Sequence, residues 1–141
     1  IDKYKSSLGT MKMKNAVKES EKVISSFDVK TPGTSTLATA LSGGNQQKFV
    51  VGRELEDNPS LLIASQPTRG IDIGAQALIW EKLRNSRDEG LSVLLISADL
   101  EELIGLSDRI IVFYQGKLVK ELDAEKVTPE DLGGYMTGLK K

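Results

Sequence analysis

The pattern of apolar and polar residues divides the chain into short apolar runs and longer stretches with helical spacing. Two runs, 61–64 and 93–96, are wholly apolar, as expected of parallel strands that are buried on both faces. A third strand over 110–114 is followed by Gln115-Gly116, a two-residue turn that predicts a hairpin with Leu118-Val119. Helical spacing and capping residues predict five helices, over about 11–26, 42–56, 73–88, 99–104 and 129–137. Strands that alternate with helices indicate an α/β fold with a mostly parallel sheet.

The first helix is predicted from an apolar stripe. Met13, Val17, Ile24 and Phe27 fall near helical spacing with lysines and glutamates between them, so we expect these four side chains to face the core. The segment from Asp28 to Ala40 contains a Pro-Gly pair and several serines and threonines, a composition typical of a loop.

Local residues mark where the later helices begin and end. Asp57-Asn58-Pro59 should end the second helix, because proline disfavours helical backbone in the residue before it. Asp72 is placed to cap the third helix, and Gly90 to stop it. Pro129 stands at the start of the last helix, where its missing N–H costs nothing.

Composition excludes several kinds of chemistry. There is no cysteine and no histidine, so disulfides, thiolate metal sites and imidazole bases are excluded. The net charge of −1 gives no field for nucleic acid or anionic lipid. No run approaches the roughly 20 apolar residues of a membrane span. These features fit a soluble, cytoplasmic domain, and a chain that begins at Ile1 is expected to be part of a longer protein.

The stretch from Leu41 to Lys48 is the strongest candidate for a binding site. Ser42 can cap the following helix, and Gly43 and Gly44 keep side chains away from anything that approaches its first turn. Such a helix start offers unpaired N–H groups and the positive end of the helix dipole, which suit an anion. The alternative is an ordinary serine-capped helix that binds nothing.

Leu41 to Lys48, in the form LSGGNQQK, resembles the signature motif of ATP-binding-cassette (ABC) ATPases of the kind that serve simple-sugar and nucleoside importers. The resemblance continues through 67–72 and 108–112 to 135–138, and so covers about 37–138; the first 36 residues match only weakly. It implies a P-loop NTPase-like, three-layer α/β fragment with a C-terminal hairpin that lacks the phosphate-loop half. Residues 1–40 would belong to the helical subdomain and its loop, and 41–141 to the signature helix and the C-terminal part of the core.

The phosphate cradle of such an ATPase, G-x-x-x-x-G-K-[ST], is absent from the chain. The only Gly-Lys pair is Gly116-Lys117, which is followed by Leu118, and Ile111 stands where the first glycine should be. We therefore expect this chain to hydrolyse no ATP alone. The loss of that half should also expose apolar faces, which favours self-association of the fragment.

Three positions that the resemblance assigns to catalysis carry other residues here. The family has Asp-Glu before Pro-Thr, where this chain has Ser65 (the magnesium position) and Gln66 (the position of the base). Ala98 occupies the place of a histidine near the γ-phosphate. A hydroxyl is a weaker Mg²⁺ ligand than a carboxylate, and an amide accepts no proton. The site is predicted to be degenerate. The alternatives are polar residues that cap a strand end, or independent drift in a site that still works.

The signature residues themselves are retained. In the family this motif faces the phosphate cradle of a partner cassette, with ATP between them, so Ser42, Gly43 and Gly44 would complete the partner's site. Asn45 and Gln46 would add amide donors, or are simply polar residues of the first turn. Asp72 matches the acid of a loop that crosses the dimer interface, and it is equally explained as a helix cap.

The resemblance thus implies an energy-coupling ATPase subunit, in the second of two fused cassettes, that uses ATP and Mg²⁺. Its partners would be the other cassette and transmembrane permease subunits, at the cytoplasmic face of the cell membrane. An alternative is a catalytically inactive cassette-fold module for binding or regulation, which the losses at Ser65, Gln66 and Ala98 favour and the intact signature opposes. A cassette protein that acts on nucleic acid is disfavoured by the near-neutral charge.

Overall fold

The computed structural model describes residues 12–140, and the description that follows is limited to them. The first predicted helix begins one residue upstream of this range, at a residue outside it. The elements are helices α1 (Met13–Ser26), α2 (Gly43–Glu56), α3 (Ile73–Asp88), α4 (Leu100–Leu106) and α5 (Pro129–Met136), a short 3₁₀ helix (Ala38–Ala40), and strands β1 (Leu61–Ser65), β2 (Ser92–Ile96), β3 (Arg109–Tyr114) and β4 (Lys117–Asp123). All five predicted helices and the four predicted strands, including the second strand of the hairpin, are confirmed. The short 3₁₀ helix inside the predicted loop was not foreseen.

The chain forms two compact units that divide within β1. Unit 1 comprises Ile1–Leu62 and Pro67–Leu91, and its described part holds α1, α2 and α3. Unit 2 comprises Ile63–Gln66 and Ser92–Lys141, and holds the end of β1, then β2, α4, the β3–β4 hairpin and α5.

Unit 1 is held together where α1 and α2 meet. A Cβ at Gly52 of α2 would lie 2.7 Å from both Phe27 Cδ2 and Val23 Cγ1, so the absence of a side chain there lets α1 pack closely. Val23 and Phe27 are buried as a result. Within residues 12–140 the first half of α1 faces α2 across an open groove of about 210 Å³, lined by Ala16, Glu19, Ser20, Val23, Phe49, Arg53 and Glu56.

The exposure of side chains along α1 corrects the prediction for the first helix. Phe27 is buried as expected and Ile24 is half-buried, but Met13 and Val17 are 61% and 38% exposed. Only the part of the apolar stripe that packs against α2, near Val23 and Phe27, is buried. An amphipathic face is buried along its whole length only when a neighbouring element extends along all of it.

Unit 2 has its core between the hairpin and α4 and α5. Leu103, Ile110, Val112, Ala124 and Leu132 form a buried apolar cluster. The strands β3 and β4 are antiparallel with Tyr114 opposite Lys117, and their register shifts at Val112/Phe113.

The hairpin turn confirms the prediction in detail. Gln115 and Gly116 have φ values of 48° and 75°. Two successive positive φ angles match the right-handed twist of the flanking strands, which is why this kind of turn favours glycine at its second position.

The prediction that β1 and β2 are buried on both faces is wrong for this chain. The two strands are hydrogen-bonded neighbours, and Ala64 is buried. On alternate positions, however, Ile63 is 61% and Leu94 51% exposed, and Ile96 is exposed as well. Within residues 12–140 no second layer covers these side chains. An apolar strand sequence therefore indicates side chains that are suited to burial. It does not indicate whether another element of the same chain packs against them.

Candidate functional site

The start of α2 is an open helix N-terminus. Ser42 has extended backbone angles, its Oγ accepts a hydrogen bond from the Asn45 N–H at 3.4 Å, and its carbonyl oxygen accepts the Gln46 N–H at 2.9 Å. Within the described residues the Gly43 and Gly44 N–H groups form no hydrogen bond, and Ser42 and Gly43 are exposed. The serine cap is confirmed, and the exposed Gly43 amide at the positive end of the helix dipole remains available to an anion.

The two glycines have different surroundings. A Cβ at Gly43 would have only the Gly70 carbonyl oxygen nearby, at 3.9 Å. Gly44 is buried, and a Cβ there would lie 2.9 Å from Asp72 Oδ2 and 3.1 Å from Ala75 Cβ. Sequence reasoning gave both glycines one role. In the structure the missing side chain of Gly44 lets α2 approach the start of α3, and the open position is Gly43.

Asp72 caps α3, as predicted, and lies against the signature turn (residues 42–46). Its Oδ1 accepts the Ala75 N–H at 2.9 Å. That bond, reinforced by the Asp72 and Gly74 amides and the charge of Lys48, holds the pKa of Asp72 below its ordinary 3.8 despite partial desolvation. Because Oδ2 packs beside Gly44, the cap of α3 also fixes the loop that adjoins the signature turn.

The cap and the charge of Asp72 can be separated by substitution. We expect Asp72→Ala to lower the midpoint of thermal unfolding by a few degrees, because the Ala75 N–H loses its acceptor. Asn caps about as well as Asp, so Asp72→Asn should nearly preserve the midpoint. Since the pKa is lowered on folding, the contribution of ionised Asp72 is fully present above its unfolded-state value of about 3.8 and is lost as the pH falls through the folded-state pKa. Thermal melts of the three proteins between pH 3 and 7 test this; equal midpoints for Ala and wild type would contradict the capping role.

The amides of Asn45 and Gln46 are bonded within the chain. Asn45 Nδ2 donates to Ser42 Oγ at 3.0 Å, and Asn45 Oδ1 accepts the Lys30 N–H at 2.9 Å. Gln46 Nε2 donates to the Leu41 carbonyl oxygen at 2.9 Å. Sequence reasoning missed Lys30, because a backbone group fifteen residues away carries no signal in the sequence.

The other predicted residues lie in unit 2, where strands β1 and β2 end. Gln66 donates its N–H to the Ile96 carbonyl oxygen at 2.7 Å and has a φ of 51°. This bond places Ser65 and Gln66 beside the segment that contains Ala98. Ser65 and Ala98 are exposed, and Gln66 is half-buried. The three residues are thus brought together, but none of them supplies a carboxylate or an imidazole.

Two further properties of the described residues bear on the chemistry. Between residues 12 and 140, no three acidic side chains gather in a way that would hold a metal ion. In the same range no helix has the length and apolar composition that crossing a membrane requires.

Comparison with known proteins identifies relatives over nearly the whole chain, although no protein-family model matches it. The guanosine import ATP-binding protein NupO of Bacillus subtilis (strain 168) is 46% identical over 133 residues, which are 94% of this chain and 26% of that protein. The ribose import ATP-binding protein RbsA of Clostridium tetani is 38% identical over 96% of this chain and 27% of its own length. The chain therefore spans about a quarter of these relatives, and the similarity reaches into its first 36 residues.

Solved structures share the fold. The ATP-binding cassette MJ0796, in a dimeric post-hydrolysis state bound to ADP and Pi, superposes with a TM-score of 0.69 at 23% identity, over 82% of this chain and 50% of that one. A nucleotide-free cassette from an ABC transporter gives 0.70 at 22% identity, over 89% of this chain and 48% of that one. The predicted fold class is confirmed. With a signature helix whose first residue is exposed, and with relatives and structural neighbours of one kind, the chain belongs to the ATP-binding-cassette (ABC) ATPase family and corresponds to about half of a cassette.

Proposed function

We propose that this chain is the C-terminal part of the second ATP-binding cassette of an importer for a simple sugar or a nucleoside, and that its signature turn completes the ATP site of a partner cassette. The observation that carries the proposal is the exposed start of α2, where Ser42 and the Gly43 N–H group are open to the surroundings. The relatives are named for guanosine and ribose import, and the solved cassette that binds ADP and Pi is dimeric.

The chemistry of this turn suits the γ-phosphate of ATP. Helix N-termini favour negative charge, and donors that are already oriented stabilise charge that develops during phosphoryl transfer. Because the donors would come from a second cassette, the site is complete only when two cassettes meet. This arrangement would make hydrolysis depend on dimer closure.

The second part of the proposal concerns this cassette's own site. Ser65, Gln66 and Ala98 are assigned to the positions of the magnesium ligand, the base and the histidine. The donor set does not fit Mg²⁺ well, since a neutral hydroxyl and an amide replace carboxylates. Gln66 can orient a water molecule but cannot accept its proton. We therefore assign to this half a site that binds nucleotide weakly or turns it over slowly.

The same proposal assigns the chain its partners and its location in the cell. Another cassette, within the same parent protein, would supply the phosphate cradle, and permease subunits would hold the pair at the cytoplasmic face of the membrane. Residues 1–40 would belong to the helical subdomain and 41–141 to the core. The exposed Ile111, Phe113 and Leu118 of the hairpin favour self-association when the chain is isolated.

The proposal predicts that this chain alone hydrolyses no ATP, because no phosphate cradle is present in its sequence. The test compares phosphate release by the purified chain, by a heat-killed sample, and by the complete parent protein at equal concentration. The complete protein should be active, and the chain should match the heat-killed control. Turnover by the chain above that control would overturn the proposal.

A second candidate function is a binding or regulatory module that keeps the cassette fold without catalysis. The observation in its favour is the absence of a carboxylate and an imidazole at 65, 66 and 98. It differs from the first proposal in one respect that can be measured, since only the first requires the signature serine for ATP hydrolysis by the complete protein.

A further inference from the structure

The hydroxyl of Ser42 serves as a hydrogen-bond acceptor for groups of its own helix. Its Oγ accepts two, from the Asn45 N–H at 3.4 Å and from Asn45 Nδ2 at 3.0 Å. Within residues 12–140 the hydroxyl donates none. A serine hydroxyl has two lone pairs and one O–H. Both lone pairs are therefore occupied by one residue, and the proton is left to point away from the helix.

The orientation of the Asn45 amide is fixed from its other end. Asn45 Oδ1 accepts the Lys30 N–H at 2.9 Å, and only the carbonyl oxygen of the amide can do this. The NH₂ group must then face Ser42. Lys30 follows the buried Val29, whose own N–H is bonded to the Ile24 carbonyl oxygen. The Lys30 N–H that orients the Asn45 amide is therefore held in place by the packed end of α1.

We propose that Asn45 is a positioning residue that keeps the Ser42 hydroxyl as a donor toward the partner cassette's nucleotide. This rests on the proposed function of the signature turn. A hydroxyl that was free to rotate would present lone pairs to the phosphate in part of its orientations. The side-chain amide of Asn45 fills the acceptor position that its backbone N–H leaves open, and so removes those orientations before the nucleotide arrives. This is the kind of preorganisation that lowers the barrier to phosphoryl transfer.

The experiment is a double-mutant cycle in the complete parent protein, with kcat for ATP hydrolysis as the readout. Asn45→Leu removes the amide at similar volume, and Ser42→Ala removes the hydroxyl. We expect each single variant to lower kcat by at least roughly tenfold, in line with the loss of one preorganised donor. In the Ser42→Ala background, Asn45→Leu should have little further effect, because it acts through a hydroxyl that is no longer there.

Two variants protect the result from effects on folding. Asn45→Asp retains the acceptor for the Lys30 N–H but has no N–H to donate, and it draws the Ser42 proton toward itself. Its loss of kcat should be clearly larger with Ser42 present than with Ala at position 42. Asn85→Leu makes the same exchange at an exposed position of α3, outside residues 41–48, and kcat should stay within about twofold.

Each outcome has one meaning. If Ser42→Ala leaves kcat unchanged, the signature turn is not used and both the proposed function and the positioning role are wrong. If Ser42→Ala lowers kcat while Asn45→Leu and Asn45→Asp do not, the function stands and the positioning role is overturned. Equal losses from the Asn45 variants in both backgrounds would also overturn it, because they would show that Asn45 acts without the hydroxyl.

Discussion

Ser42→Arg in the complete parent protein should reduce ATP hydrolysis by about 10²–10³-fold, the range seen when a preorganised donor to a developing anion is lost. Ser42 is exposed at the start of α2, so an arginine fits the monomer and projects from the surface where the partner would dock. It also removes the hydroxyl and covers the open Gly43 N–H group beside it. The loss should appear in kcat measured at saturating ATP with the full-length protein.

A matched control separates this effect from the loss of a helix cap. Thr128 caps α5 by accepting the Asp131 N–H at 3.1 Å, and it is exposed in the same way. Thr128→Arg therefore makes the same kind of change at a helix that the proposal leaves out of the ATP site, and each cap is worth roughly 1 kcal/mol. Activity should survive Thr128→Arg. If Ser42→Arg is equally harmless, the signature plays no part in hydrolysis and the inactive-module interpretation gains.

The parts of the fold that were predicted correctly depend on local chemistry. Ser42, Asp72 and Asp99 each accept a backbone N–H within three residues, and such caps can be recognised from a few adjacent positions. The Gln115-Gly116 turn is equally local, since its geometry requires positive φ at both positions. These signals mark the starts of α2, α3 and α4 and the turn of the hairpin.

The wrong predictions concern the burial of side chains, which depends on whether another element packs against the face that carries them. Ile63 and Leu94 lie in apolar strands and are more than half exposed, and Met13 lies in the amphipathic stripe of α1 and is 61% exposed. Sequence spacing identifies which side chains share a face, but not whether another element covers that face. About half of a cassette, described by itself, shows this difference clearly.

The candidate site shows the same difference between local contacts and contacts with distant segments. Residues 42–46 and Asp72 could be assigned from motif and capping chemistry, and the structure brings them together. The separate role of Gly44, whose Cβ position meets Asp72, and the bond from Lys30 to Asn45 could not be assigned. Both depend on segments that are distant in sequence, and neither glycine packing nor a backbone donor leaves a recognisable pattern.

The second large effect is a gain of activity at this cassette's own site. Gln66→Glu supplies a carboxylate that can accept a proton, and general-base catalysis contributes roughly 10²–10⁴-fold. Ser65→Asp supplies the oxygen ligand that Mg²⁺ prefers, and Ala98→His restores the third position. The Gln66 backbone, with its bond to the Ile96 carbonyl oxygen, does not depend on whether the side chain ends in an amide or a carboxylate.

The gain is best measured in the complete protein that already carries Ser42→Arg, because the partner's site is then silenced and the baseline is low. We expect the triple substitution to raise Mg²⁺-dependent hydrolysis by at least roughly tenfold over that baseline. Gln115→Glu is the matched control, since Gln115 also has positive φ, at 48°, but lies in the hairpin turn. If the triple variant stays at the level of this control while its stability is unchanged, the residues at 65, 66 and 98 are not what limits the site. The limitation would then lie in the half of the cassette that holds the phosphate cradle.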